Sequence, residues 1–112
     1  MVGPELKPST KFEILWRSLG GCGLTKEYQF APKRKFRMDY YGESNGVKFC
    51  VELEGGVFIR GRHLRPGGFL RDMEKYNLAA QMGIFVFRIP SHDISSEWLA
   101  PIIKSIKKGT NK

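Results

Sequence analysis

Apolar side chains recur three and four residues apart in three stretches of the chain, which is the spacing of one face of a helix. These stretches predict amphipathic helices over roughly residues 9–19, 69–81 and 95–108. The residues from Thr10 to Glu13 match a capping box, in which two side chains bond the first free N–H groups of a helix. The apolar positions of the three helices are Phe12, Leu15, Trp16 and Leu19, then Phe69, Met73, Tyr76 and Ala80, then Leu99, Ile102, Ile103 and Ile106.

Alternating apolar and polar side chains predict strands between the first two helices. A short extended piece at residues 27–30 precedes a β-hairpin with strands at residues 33–41 and 47–54, joined by a turn of sequence Glu-Ser-Asn-Gly. If the polar faces of the two hairpin strands coincide, Asp39 lies opposite or diagonal to Glu52. The two alternating sets in the first hairpin strand are Phe36, Met38 and Tyr40 on one face and Lys35, Arg37 and Asp39 on the other.

Residues 84–89 are almost continuously apolar, which is typical of a strand that is covered on both faces. Residues 57–68 are rich in Gly and Arg and are expected to form a loop. The strand–helix–strand unit from residue 47 to residue 89 is expected to make a right-handed parallel crossover. The predicted order is therefore α-β-β-β-α-β-α, which indicates an α/β fold class, with a mixed α+β sheet flanked by helices, in one domain over residues 1–112.

The chain carries a strong excess of positive charge, with a formal net charge of +8. A small domain of this charge favours a polyanionic partner such as DNA, and a surface with excess lysine is the plainer alternative. The basic residues that we expect to contact DNA are Lys33, Arg34, Lys35 and Arg37 in one stretch and Arg60, Arg62 and Arg65 in the loop. A third group, Lys104, Lys107 and Lys108, is equally well explained as a solvated helix face.

Cysteine usage and hydropathy indicate the compartment and bear on other ligands. Cys22 and Cys50 show no Cys-x-x-Cys spacing, so no disulfide is expected, and a reducing, cytoplasmic location fits. Together with His63 and His92 they lack finger-like spacing, so zinc is not expected. No stretch approaches the ~20 apolar residues of a membrane span, and no secretory leader is visible, so no membrane association is expected.

Three acidic residues stand inside apolar, strand-like sequence, at Asp39, Glu52 and Glu54. Clustered carboxylates repel each other unless a cation lies between them, and their hard oxygen atoms suit Mg²⁺ or Mn²⁺. Adjacent hairpin strands would bring Asp39 and Glu52 together, and the backbone carbonyl of Leu53 would add a third oxygen. We therefore expect a metal site formed by Asp39, Glu52 and Leu53, against the alternative of carboxylates on a solvated sheet face.

The spacing of these acidic residues resembles the signature of the PD-(D/E)XK nuclease superfamily, with Asp39 followed by a strand that carries Glu52-Leu53-Glu54. The α-β-β-β-α-β order resembles the restriction-endonuclease-like core of that superfamily, here with a C-terminal helix. The segments FRMDYY, VELEGG, RGRH and DMEKYN are similar to those of small endonucleases common in bacteriophage genomes, and of Holliday-junction-resolving and mismatch-nicking relatives. The resemblance covers most of the chain and implies metal-dependent hydrolysis of DNA.

One position departs from the superfamily pattern, because Glu54 stands where a lysine is usual. Relatives can carry this lysine on the following helix, which implies that Lys75 replaces it. Asp72 and Tyr76 are neighbours of Lys75 on that helix and are expected to support it. A surface ion pair is the alternative for Lys75. Glu54 is expected either to bind the metal or to hold a water molecule that does.

Two further residues are candidates for catalysis. His63 follows the acidic strand in a Gly-Arg-His loop, where a histidine can act as an acid or a base near neutral pH. Glu13 resembles the first-helix glutamate that some resolvases of the superfamily bring to the metal, although the capping box already explains a glutamate there. The expected catalytic set is therefore Asp39, Glu52, Glu54, Lys75, His63 and Glu13.

The resemblance, the charge and the carboxylates together predict a Mg²⁺-dependent endodeoxyribonuclease that acts on branched or distorted DNA, such as a Holliday junction, or nicks at mismatches. An enzyme that resolves a junction must cleave two strands, so we expect a homodimer with two sites. Phe58, Ile59 and Trp98 are apolar candidates for the dimer interface, and the sequence does not choose among them. The phage relatives fit a viral protein acting in a host cell. Two alternatives stay open: a catalytically inactive DNA-binding module of the same fold, which Glu54 favours, and a basic protein that docks on an acidic protein.

Overall fold

Residues 5–55 and 66–109 are described by the computed structural model, with the backbone alone at residues 66 and 67. Within these ranges the chain forms an α+β fold, in which three helices flank a four-stranded mixed sheet. The predicted order of elements is confirmed. The elements are α1 (Pro8–Ser18), β1 (Thr25–Gln29), β2 (Arg37–Ser44), β3 (Val47–Glu54), α2 (Pro66–Gln81), β4 (Ile84–Pro90) and α3 (Ser96–Lys108).

The strands lie side by side in the order β1-β2-β3-β4. Strand β2 runs antiparallel to β1 and β3, and β4 runs parallel to β3, so the predicted hairpin and the predicted parallel pairing are both confirmed. The bounds of β2 differ from the prediction, because the strand begins at Arg37 rather than residue 33 and continues to Ser44, which leaves a turn of two residues. Asn45 and Gly46 have positive φ angles of 55° and 79°, which a two-residue type I′ hairpin turn requires. The Asn45 side chain also donates a hydrogen bond to the carbonyl of Ile106 at 3.2 Å, and this bond ties the hairpin to α3.

Both faces of the sheet bury apolar side chains. Helices α1 and α3 pack together over one face, where Phe12 and Phe49 are fully buried, and the predicted apolar faces of these two helices are confirmed. Helix α2 packs over the other face, where Ala79 meets the β1–β2 connection and strand β3. The parallel strands β3 and β4 end at the same side of the sheet. The acidic residues Glu52 and Glu54 lie at this end of β3.

Helix α1 lacks the predicted capping box. Lys7 occupies the N-cap position, and its side chain makes no capping hydrogen bond. Pro8 takes the first helical position, where its missing N–H costs nothing and its fixed φ fits the helix. Glu13 therefore lies in the second turn of the helix, and the explanation of this residue as a capping glutamate is wrong.

The face of α2 that meets the sheet differs from the predicted one. The helix begins at Pro66, three residues before the predicted start, and Phe69 and Met73 are 56% and 46% exposed. The side chains turned towards the sheet include those of Ala79 and Leu78, together with Lys75 and Tyr76, of which only Tyr76 belongs to the predicted face. Lys75 and Tyr76 are polar, and carboxylates of β3 beneath the helix bind them.

The prediction that residues 84–89 are covered on both faces holds in part, since Ile84 and Val86 pack into the cluster beneath α2 and Phe87 and Ile89 into the cluster beneath α1 and α3. Strand β4 lies at the edge of the sheet, and although Ile84 and Ile89 are buried, Phe85 is 57% exposed. A continuous apolar run indicates a strand but does not fix its place in the sheet. None of the helices in the described ranges combines the length and apolar character needed to cross a bilayer.

Candidate active site

Glu52 is a buried carboxylate, with 5% of the residue exposed. Its Oε1 accepts hydrogen bonds from Lys75 Nζ at 2.8 Å and from the Tyr76 hydroxyl at 3.2 Å, and its Oε2 accepts the backbone N–H of Asp39 at 2.6 Å. A carboxylate held out of water is costly unless such donors compensate its charge. The α2 helix supplies two of the three donors, so the helix and the acidic strand form one polar group.

Lys75 is nearly as buried as its partner, with 15% of its side chain exposed against 7% for Glu52. An ammonium group in such a position is not the solvated surface ion pair that was the alternative for Lys75. The structure thus brings Lys75 and Tyr76 to the acidic strand. Asp72, one turn earlier on α2, is exposed and lines a separate cleft with Tyr76 and Arg88.

Asp39 lies where the regular pairing of β2 with β3 stops. The last paired residues of the ladder are Tyr40 and Val51. Beyond them the Leu53 N–H donates to Asp39 Oδ2 at 2.8 Å, while the Asp39 N–H donates to Glu52. Between the two strands, side-chain carboxylates therefore accept hydrogen bonds that backbone carbonyls would accept in a regular ladder. Residues 39 and 52 are close together, as predicted, and the contact joins the Asp39 backbone N–H to the Glu52 side chain.

The pleat of β2 is interrupted at Asp39. Met38 packs beneath α2, whereas Tyr40 packs beneath α1 and α3, although residues two apart normally share a face. The prediction that Met38 and Tyr40 share a face is therefore wrong. In β1, Glu27 lies opposite Asp39 in the register and has a positive φ of 52°. Local distortion of paired strands is frequent beside active sites, because it re-aims a side chain.

The electrostatic environment of Asp39 is mixed. Burial raises the pKa of Asp39, and the Leu53 N–H and the positive charge of Lys75 act in the opposite direction. The charges of Glu27 and Glu54 raise the pKa further. A cleft of about 360 Å³ opens onto Asp39, so the group is accessible to a solute despite its partial burial.

Glu54 is half-buried and continues the acidic group along β3. It accepts a hydrogen bond from the Tyr76 hydroxyl at 3.3 Å and one from Arg88 Nε at 3.1 Å. The Tyr76 hydroxyl lies between Glu52 and Glu54, so its one proton is shared between the two carboxylates. Burial raises the pKa of Tyr76, and the two glutamate charges raise it further, so the tyrosine stays protonated.

Glu13 points from α1 towards the same end of the sheet but has other partners. Its Oε2 accepts a hydrogen bond from the Tyr40 hydroxyl at 2.6 Å and lies 3.0 Å from Lys26 Nζ. The Tyr40 hydrogen bond lowers the pKa of Glu13, and the bond from Lys26 lowers it further. Tyr40 is the chain neighbour of Asp39, and Lys26 and Tyr40 both line the cleft at Asp39. Glu13 is therefore connected to the site through Tyr40 and Lys26 and does not contact Asp39 directly in any described bond.

Several predicted site residues lie outside the described part of the chain: His63, Arg60, Arg62 and Arg65. Of the basic stretch before β2, Lys33, Lys35 and Arg37 are exposed. Arg34 instead forms a bidentate pair with Glu74 of α2, at 2.6 and 3.0 Å, and lies 4.3 Å from the centre of the Phe36 ring. Arg34 thus fastens the β1–β2 connection to α2.

Arg88 is a site residue that sequence reasoning did not single out. It follows four apolar residues in β4, and the parallel register places it beside Glu52. The guanidinium binds Glu54 and lies 4.9 Å from the centre of the Tyr76 ring. An arginine inside an apolar strand next to an acidic strand was the signal available in the sequence.

A divalent cation at this site would have to be held by carboxylate and backbone oxygen atoms. Within residues 5–55 and 66–109, no three His, Cys, Asp or Glu side chains are grouped closely enough to hold an ion alone. Mg²⁺ commonly uses only one or two carboxylates and keeps several waters. Asp39 and Glu52 would supply these carboxylates. The Leu53 carbonyl points to the same strand edge as the Leu53 N–H, which faces Asp39, so a third oxygen is available.

Cys50 lies beneath α2 in the apolar cluster, two residues before Glu52. Burial raises the pKa of its thiol to about 12, and the charge of Glu52 adds to this effect. The thiol is therefore protonated at neutral pH and acts as a small apolar side chain.

Comparison of the chain with models of protein families, with curated proteins and with solved structures finds no match. Fold and site define an α+β protein with a buried carboxylate–lysine group at the carboxyl end of its central strand.

Proposed function

We propose that the protein is a metal-dependent DNA endonuclease, which hydrolyses phosphodiester bonds with Mg²⁺ or Mn²⁺ at the group formed by Asp39, Glu52, Glu54 and Lys75. The observation that carries the proposal is the 2.8 Å contact between Lys75 Nζ and Glu52 Oε1, directly beside Asp39. A lysine reaching the acidic strand from the next helix supplies the positive group that Glu54 displaces from β3. The α-β-β-β-α-β order of elements also supports the proposal.

Each residue has a role that follows from its contacts. Asp39 and Glu52, with the Leu53 carbonyl, would hold the cation. An ionised carboxylate has about four acceptor sites, of which Glu52 uses three. Lys75 would neutralise charge that develops on the phosphate or orient the attacking water; for His63, which lies outside the described residues, the same role is proposed from the sequence alone. Glu54, held by Tyr76 and Arg88, would accept a hydrogen bond from that water.

The chemistry that a divalent cation supplies, when bound, is activation of water and neutralisation of phosphate charge. The exposed side chains of Lys33, Lys35 and Arg37 would contact the DNA backbone, which adds affinity without sequence preference. We propose branched duplex, such as a Holliday junction, as the substrate, cut by a homodimer with two sites. Nicking at mismatches is the variant of this activity that the same site could perform.

A cleavage panel tests the proposal directly. Four-way junction, flap, mismatch and linear duplex are incubated with the protein, with Mg²⁺, with Mn²⁺ and with chelator. Cleavage should require the metal, and Asp39→Ala and Glu52→Gln should each lower it by ~100-fold or more. Glu43→Gln, at the other end of β2, is the matched control and should cleave normally. Cleavage by both site variants at the wild-type rate would contradict the proposal.

An inactive DNA-binding module is the second candidate, and one observation favours it. Glu52 already has Lys75, Tyr76 and a backbone N–H as partners, so the buried charge is compensated without a cation. If the protein is only a DNA-binding module, wild type and Asp39→Ala should bind DNA equally and neither should cut any substrate with either metal. If it is an enzyme, the two proteins should bind equally but differ in cleavage, so the same panel distinguishes the two functions.

A further inference from the structure

Trp98 is a large aromatic side chain held in a fixed position on the surface. It lies in the first turn of α3 and is 41% exposed, whereas its neighbour Leu99 is fully buried in the core. The indole N–H donates a hydrogen bond to Asp93 Oδ2 at 3.1 Å. This bond uses the polar edge of the indole and fixes the plane of the ring, so one broad apolar surface faces the solvent.

The exposed ring forms one wall of a cleft of about 540 Å³. The other walls are formed by Glu54, Arg88, Ile89, Pro90, His92 and Asp93, whose carboxylate is the one bonded to the indole. Sites for small organic ligands typically have volumes of about 300–1,000 Å³, so the cleft has room for one nucleobase with its sugar. Proline and tryptophan present flat apolar surfaces, and arginine and histidine suit a polar or anionic edge.

The cleft is continuous with the candidate active site. Glu54 and Arg88 line the cleft and also bind each other at 3.1 Å, and the Tyr76 hydroxyl connects Glu54 to Glu52. A ligand that reaches Trp98 therefore lies next to the acidic group rather than on a remote surface. The net charge of +8 favours association of the whole molecule with a polyanion.

We propose that Trp98 is the stacking platform for an unpaired nucleobase of the DNA substrate, an inference that rests on the proposed nuclease function. Stacking of a base on an aromatic side chain needs an open face of the base, which a regular duplex does not offer at the strand interior. Junctions, flaps and mismatches provide such bases. Trp98 thereby selects distorted DNA, while the basic residues bind the backbone of any DNA.

Tryptophan fluorescence measures this contact without cleavage. The only other tryptophan, Trp16, is 4% exposed and bonded to the Cys22 carbonyl, so solvent-accessible emission comes from Trp98. The full chain is titrated, in chelator, with a short single-stranded oligonucleotide and with the matching duplex. We expect the single strand to quench the emission and the duplex to quench it much less.

Affinity measurements on variants complete the test. Trp98→Ala should weaken single-strand binding by about tenfold and leave duplex binding unchanged, and Trp98→Phe should keep most of the affinity. Phe85→Ala is the matched control, because Phe85 is an exposed aromatic on β4 that lines a different cleft, and it should bind like the wild type.

Three results would overturn the proposal: equal single-strand affinity for Trp98→Ala and wild type, emission that saturating single strand leaves unchanged, or emission that shifts with protein concentration before DNA is added. The last would mean that a second copy of the chain covers the ring. Failure of the nuclease proposal looks different, because stacking is measured without metal. If single-stranded DNA quenches the emission but no substrate is cleaved, then Trp98 stacks on bases and the protein is not a nuclease.

Discussion

At the scale of the residue, the buried pair of Glu52 and Lys75 is the costliest feature of the site. A buried ion pair is often no more stabilising than apolar side chains of the same volume, because both charges lose their hydration. On the same helix, Phe69 and Met73 are exposed to solvent. A charge arrangement that brings so little stability is expected at a functional site rather than in an ordinary core.

The charge of Glu13 gives a pH-dependent prediction at the same scale. The Tyr40 and Lys26 bonds lower the pKa of Glu13 in the folded state, so its contribution to stability is present above the unfolded pKa and is lost as the pH falls through the folded pKa. Glu13→Gln should therefore melt at a lower temperature than the wild type at pH 7, and the difference should shrink below the ordinary glutamate value of 4.5.

Thermal unfolding between acidic and neutral pH checks this expectation. Glu5→Gln is the control, because Glu5 is almost fully exposed and lies 3.7 Å from Lys11, and it should show no such pH dependence. A deficit of Glu13→Gln that stays constant over the range would mean that side-chain packing, not charge, is what Glu13 supplies.

At the scale of the element, the start of α1 allows two hypotheses of helix capping to be tested against each other: an N-cap at Lys7 or a capping box at Thr10 and Glu13. Lys7 occupies the N-cap without a side-chain bond, so Lys7→Asp should stabilise the fold by about 0.5–2 kcal/mol. The capping box predicted from Thr10 and Glu13 would instead make Thr10→Ala costly. Denaturant unfolding of the two variants decides between them: we expect a gain for Lys7→Asp and little change for Thr10→Ala, and the reverse pattern would restore the capping box.

The elements differ in how far the sequence determines them. The hairpin turn, with positive φ at Asn45 and Gly46, follows from local chemistry, and so do the apolar faces of α1 and α3. The buried face of α2 does not, because Lys75 turns inward only when Glu52 lies beneath it. Periodicity counts apolar residues, and it contains no information on a charged partner that is distant in the sequence.

The features of the candidate site also differ in how far the sequence determines them. The pairing of Asp39 with Glu52 could be predicted from the hairpin register, since the strands that carry them are joined by a short turn. The interrupted pleat at Asp39 could not be predicted, because a pattern of alternation assumes a regular strand. The parallel pairing of β3 with β4 could be predicted from the strand–helix–strand order, but the register that places Arg88 beside Glu52 could not, because no short turn fixes it.

At the scale of the whole molecule, net charge and site geometry have separate consequences for DNA binding. Exposed lysines contact phosphates, release counterions and make the affinity depend on salt, whereas a carboxylate site contributes nothing to that dependence. The net charge of +8 alone does not say which surface the DNA contacts. Two exposed lysine groups compete for that role: Lys33 and Lys35 before β2, and Lys104 and Lys108 on α3.

The salt dependence of binding identifies the surface. If the stretch before β2 contacts the backbone, replacing Lys33 and Lys35 by alanine should reduce the slope of log affinity against log salt by roughly 2, because each lost phosphate contact removes about 0.9. The matched pair of alanine substitutions at Lys104 and Lys108 removes the same charge and should leave the slope nearly unchanged. Equal effects would mean that DNA is attracted by net charge without a defined path. A larger effect at α3 would mean that the DNA backbone contacts that helix.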